Sequence, residues 1–261
     1  MSEPTPAGPD ATEEQYRALS PKEIIATAEL LRRRIEERFP GSGLGRVSGE
    51  LTEVCREAER MSEWLARPNH WLRAGIGVGA LLVLAGIAGV VRRLHLRTEV
   101  PGVAEFLQGL EAGINNLVFL SVGAWFLAGL EARWKRRRAQ SSLHTLRSMA
   151  HIVDMHQLTK DPERVTGSDR YDTESSPRHV MTPFELVRYL DYCTEMLALI
   201  SKAAALHVQH FDDAETRSTV EDIEDLTLGL SQQVWQKIMI LDRVLNPWGG
   251  KPGTVQEPGS K

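Results

Sequence analysis

The sequence predicts an all-α membrane protein: a two-span transmembrane hairpin with a cytoplasmic N-terminal helix pair and a C-terminal helical hairpin or bundle. Three observations predict it. Two long runs carry no charge, apolar residues elsewhere recur at steps of three or four behind recognisable helix starts, and no stretch alternates apolar and polar residues as a half-buried strand would.

The first run, Ala74 to Val91, reads AGIGVGALLVLAGIAGVV over 18 residues. As a helix it covers about 27 Å, close to a hydrocarbon core about 30 Å thick. Trp71 suits the aromatic belt at the interface, and Arg73, Arg92 and Arg93 reach toward headgroups from the two ends. The competing reading is a buried core helix, but soluble helices seldom run this far without a polar residue. The second run, Ile114 to Leu130, is weaker because Asn115 and Asn116 occupy its first turn, and its alternative is a re-entrant or interfacial segment. Trp134 follows it, and then the basic cluster Lys135, Arg136, Arg137 and Arg138, which reads as a membrane anchor.

Small residues stand four apart at Gly75 and Gly79, Ala85 and Gly89, and Ala124 and Ala128, a spacing that lets helices approach closely in a hairpin or an oligomer. Neither run contains Asp, Glu, Lys or His, so the sequence offers no intramembrane proton or ion relay. Orientation follows from the basic residues. Arg56, Arg60, Arg67 and Arg73 precede the first span and Arg133, Lys135 to Arg138 and Arg147 follow the second, against Arg92, Arg93 and Arg97 between them. Both termini are therefore expected in the cytoplasm, in a multi-pass protein of the cell (inner) membrane, with the connecting loop outside. Reading the basic cluster as a nucleic-acid site is disfavoured, since residues 141–261 carry 18 acidic against 12 basic side chains and would repel phosphates.

Residues 1–19 are acidic, lack an apolar core and are expected to be disordered, without a cleavable signal. Cys55 and Cys193 lie far apart outside any CxxC spacing, which fits a reducing compartment and suggests no thiolate metal site. The expected order continues with a helix pair over 20–70, the first span over 71–93, an outward loop over 94–112, the second span over 113–134, a cytoplasmic helical domain over 135–246 and a disordered tail over 247–261.

In the N-terminal pair, Ser20, Pro21 and Glu23 form a helix start, and Ile24, Ala28, Leu31 and Ile35 repeat behind it. GSGLG at 41–45 reads as a linker, since no strand precedes it and no GK[ST] follows, and a second helix is expected near Val47 to Ala66. Beyond the second run, with no breaker between, a helix is expected over about Ser141 to Thr159. Another opens on Thr182, Pro183 and Glu185 and runs to about Phe211. A last one opens on a capping box at Ser218 and Glu221, and its apolar series from Val220 to Leu245 pairs it with the helix before.

The histidines supply the only candidate chemistry. His144 and His151 are seven residues apart, about 10 Å along a helix and too far to share an ion. His151 with Asp154, and His207 with His210, each have i, i+3 spacing, and two such pairs facing each other would make a four-ligand N/O metal site. The competing account makes His207 a hydrogen-bonded core residue and leaves His151 and Asp154 on a polar surface. HExxH, GxSxG, Walker and zinc-deaminase patterns are absent from the sequence. The functional expectation is a non-enzymatic interaction, regulatory or scaffolding protein, oligomeric or bound to a cytoplasmic protein partner, seated in a lipid bilayer, with no cofactor and no nucleic acid. Its alternatives are a metal-dependent enzyme or sensor and an oligomeric pore-forming effector.

Overall fold

The computed structural model describes residues 18–68, 103–160, 162 and 181–245, together with scattered helical positions between 74 and 92. The structure is all-α, and no strand occurs among the described residues. The helices are α1 (Pro21–Arg38), α2 (Gly43–Ala66), α3 (Val103–Ala128), α4 (Leu130–Leu158), α5 (Pro183–Ala205) and α6 (Ala214–Leu245). Among the described residues no helix is long and apolar enough to cross a membrane. About half of the first expected span, over 71–93, lies outside the described residues. The second expected span, over 113–134, covers the end of α3 and the first turn of α4, and α3 carries Glu105 and Glu111 ahead of it and Asn115 and Asn116 in its first turn.

The chain divides into two compact units, one formed by residues 1–63 with 140–261 and the other by residues 64–139. In the first, α1 starts as its sequence requires: the Ser20 side chain accepts from the Glu23 amide at 3.4 Å, and Pro21 occupies the position where a missing N–H costs nothing. Ile24, Ala28, Leu31 and Ile35 are buried along one stripe. The helix ends at Phe39, and Gly41 turns the chain at φ 67°, a left-handed conformation that glycine adopts without steric cost.

The expected Gly-rich linker is a correction. Gly43, Leu44 and Gly45 form the first turn of α2, because the Ser42 hydroxyl accepts from the Gly45 amide at 3.0 Å and Leu44 is fully buried. A cap and one anchored leucine outweigh two glycines.

The central element is α5, with eleven residues buried around its circumference, among them Leu190, Cys193, Leu197 and Ile200. Its start is a complete capping box: Glu185 N donates to Thr182 Oγ1 at 3.3 Å and Thr182 N donates to Glu185 Oε2 at 2.7 Å. Thr182→Ala is expected to cost about 1 kcal/mol, read as a lower urea midpoint at unchanged m-value. Against α5 lie α1, through Phe39 edge-on to Tyr189 at 5.7 Å and the Arg34–Glu195 pair at 2.7 Å, and α6, whose Val234 and Leu241 pack with Leu186 and Leu190. The α5–α6 antiparallel hairpin is therefore as the apolar spacing predicts. Ser62 Oγ of α2 donates to the Leu206 carbonyl at 2.9 Å, and Lys237 of α6 donates to the Gln157 carbonyl at the end of α4 at 2.9 Å. Leu44, Leu51, Cys55, Leu143, Leu146 and Ile223 pack with Cys193, Leu197 and Ile200 in the main core, beside the smaller Leu186–Leu190–Val234–Leu241 cluster, which makes the unit a five-helix bundle.

Three boundaries differ from expectation. α6 begins four residues before Ser218, because Asp213 Oδ2 caps the Thr216 amide at 3.0 Å and leaves Ser218 and Glu221 inside the helix. α5 ends at Ala205 rather than near Phe211. α3 begins at Val103, so residues 103–112 of the expected loop are helical, in keeping with their Ala, Glu, Gln and Leu content.

In the second unit, α3 and the start of α4 meet at Gly129, which bonds onward in the helical pattern: Gly129 N to Trp125 O at 3.2 Å and Arg133 N to Gly129 O at 3.1 Å. The expected continuity of the two segments thus survives a local turn, where the Arg133 guanidinium takes the Phe126 carbonyl and lies 4.4 Å from the Phe126 ring centroid.

Candidate functional site

The four residues expected as a metal cluster have different surroundings. His207 is fully buried just beyond α5, whereas His151 and His210 are exposed, and Asp154 accepts from Gln157 Nε2 at 2.6 Å. Among the described residues no three His, Cys, Asp or Glu side chains gather as a metal site would require. At His207 both ring nitrogens have partners. Its Nδ1 lies 3.1 Å from the Ala203 carbonyl and 3.2 Å from that of Ala204, and its Nε2 lies 2.9 Å from Ser142 Oγ.

Carbonyls only accept, so Nδ1 carries the proton and donates; Nε2 then accepts from the Ser142 hydroxyl, and neither nitrogen retains a lone pair for an ion. The ring caps the end of α5, which explains why that helix stops short, and ties it to α4. Burial lowers the His207 pKa below the ordinary 6.5, against the opposing pull of the Ala203 and Ala204 carbonyls. His156, half-buried, is also lowered, first by burial and then by Arg46 and Lys160.

A second constellation lies within residues 64–139. Trp64, near the end of α2, and Trp134, in the first turns of α4, meet edge-to-face with ring centroids 5.1 Å apart. The Arg138 guanidinium lies 5.3 Å from the centroid of Trp64, and Arg137 is exposed. Lys135 is the correction among the expected anchors. It is buried, and its Nζ donates to the carbonyls of Leu65 and Arg67 at 2.9 Å each, with Glu131 Oε1 at 3.4 Å. The ammonium thus satisfies carbonyls left open where α2 ends, rather than facing headgroups.

In the same unit α3 exposes large apolar side chains, with Phe119 at 77% and Trp125 at 76%. Of the other expected anchors, Arg92 is exposed, Arg136 is half-buried, and Trp71, Arg73 and Arg93 lie outside the described residues. Among the described residues a Cβ added at Gly75 or Gly79 would meet no atom within 4 Å, and Ala85 is exposed. The side-chain surroundings of Gly89, Ala124 and Ala128 lie outside the described residues. Trp64 was not singled out from sequence; its position seven residues before Trp71, ahead of the first apolar run, is the signal that could have found it.

Comparison of the chain with known protein families, curated proteins and solved structures finds no match.

Proposed function

We propose that the chain is a two-span membrane protein in which residues 64–139 sit in and against the bilayer and the five-helix bundle is a cytoplasmic interaction or regulatory module. The observation that carries this reading is the apolar face of α3, with Val118, Phe119, Val122, Trp125 and Phe126 more than half exposed. The helix that follows α3 in sequence carries Trp134 and Arg138 of the Trp64–Trp134–Arg138 collar. A soluble chain rarely leaves so much aromatic and aliphatic surface in water, whereas hydrocarbon followed by an aromatic and arginine belt is the usual order at a bilayer interface. The first uncharged run and the excess of arginine and lysine outside the pair of runs point the same way. Because α2 and α4 each contribute residues to both units, a change in the bundle has two covalent routes to the spans. No catalytic step is needed for such coupling.

The test uses the cysteines. Cys55 and Cys193 are buried, and desolvation pushes both thiols up to about 12, so neither forms a reactive thiolate near neutrality. A maleimide is expected to leave the folded protein unlabelled and to modify both residues once it is unfolded in urea. Against that silent background, a cysteine introduced at Thr98, outside the described residues, reports topology. Labelling by a membrane-impermeant maleimide from the outside of intact cells is expected; labelling only after lysis, or release of the chain by alkaline carbonate, would sink the reading.

A further inference from the structure

We propose that the collar at Trp64, Trp134, Arg137 and Arg138 is a binding site for the phosphodiester of an anionic glycerophospholipid. The inference rests on the membrane reading above and deepens it. Three features on the structure support it. The guanidinium of Arg138 is stationed 5.3 Å from the centroid of the Trp64 ring, and a guanidinium held on a ring keeps its planar N–H edge for two parallel bonds to a phosphate.

Trp64 and Trp134 form a fixed edge-to-face platform, with Trp134 45% exposed, which matches an amphipathic ring at headgroup depth. Lys135 points its ammonium into the carbonyls of Leu65 and Arg67, and Glu131 sits beside it at 3.4 Å, so Glu131, three residues before Trp134, is already engaged by a cation. The positive charge left at the surface is therefore arginine, the side chain suited to bidentate phosphate recognition.

A net-anionic lipid is favoured over a zwitterionic one, because phosphatidylcholine carries its own cation beside the phosphate whereas phosphatidylglycerol presents an unopposed charge. Each basic residue near an anionic lipid surface contributes about fivefold in affinity.

Full-length protein in neutral detergent micelles would be titrated with phosphatidylglycerol, phosphatidylcholine or inorganic phosphate while its thermal unfolding is followed. Phosphatidylglycerol is expected to raise the Tm, and the other two to leave it unchanged. The Arg137→Gln/Arg138→Gln double variant is expected to need about 30-fold more phosphatidylglycerol for the same shift. Arg137→Gln alone, which touches no ring, is expected to need about fivefold more and guards against a folding defect in the double variant. An equal response to phosphatidylcholine, or an unaltered response in Arg137→Gln together with any folded double variant, overturns the proposal. A shift with inorganic phosphate alone would assign the site to the free ion and overturn the lipid source. Release by carbonate defeats the membrane reading; retention in the membrane with no preference for phosphatidylglycerol defeats only this inference.

Discussion

Lys135→Met is expected to destabilise the junction of α2 and α4 by about 3 kcal/mol, the usual cost of removing one partner from a buried charged cluster. Methionine keeps the length and most of the volume of the side chain, so the loss isolates the ammonium. Without it the carbonyls of Leu65 and Arg67 lose a donor and Glu131 loses a cation at 3.4 Å. The measurement is thermal unfolding in micelles joined with amide exchange, and faster exchange should be concentrated around the end of α2. Arg137→Met, two residues along and exposed, is the control and should change the Tm little. Equal effects from the two substitutions would return Lys135 to the role of a headgroup anchor.

Loss of stability on mild acidification is the second large effect expected. A His207 buried as the neutral ring binds protons less readily in the folded chain than in the unfolded one, because burial lowers its pKa from the ordinary 6.5. The unfolded state thus takes up more protons once the pH falls below about 6.5, and stability declines from there down to the lowered folded value, remaining flat above. His156 is shifted in the same direction and adds to the slope. His207→Gln is expected to flatten the pH dependence between about pH 7 and 5 without abolishing it, since His156 remains. At pH 7.5 the same substitution should cost about 2 kcal/mol through lost hydrogen bonds to Ala203, Ala204 or Ser142. Parallel pH profiles for the two proteins would remove His207 from the acid response.

Local signals carried most of the bundle. Ser20 with Glu23 and Thr182 with Glu185 are short-range devices whose partners lie within one turn, and the spacing of Ile24 to Ile35 and of Val220 to Leu241 already specified which faces are buried. Where two caps compete, the sequence is ambiguous. Asp213 and Ser218 both precede a helical pattern, and Asp213 takes the amide because Thr216 donates to it twice, from N and from Oγ1. The site residues were less legible for a different reason. His207 meets Ser142 across 65 positions, and Lys135 meets Leu65 across 70. No periodicity records such pairings. An imidazole that caps a helix and an imidazole that binds zinc present the same letter, and only the partner atoms distinguish them.

The central position of α5 has a consequence in time. Arg34 and Glu195, which join α1 to α5, stand 161 residues apart. At about 5 to 20 residues per second, α1 is made roughly 8 to 30 s before the helix it will rest on. During that interval Ile24, Leu31 and Ile35 have only the nearby apolar face of α2 to cover them, while both predicted membrane runs are synthesised. The early α1–α2 pair must therefore wait as a loosely closed clasp that stays open to the later chain.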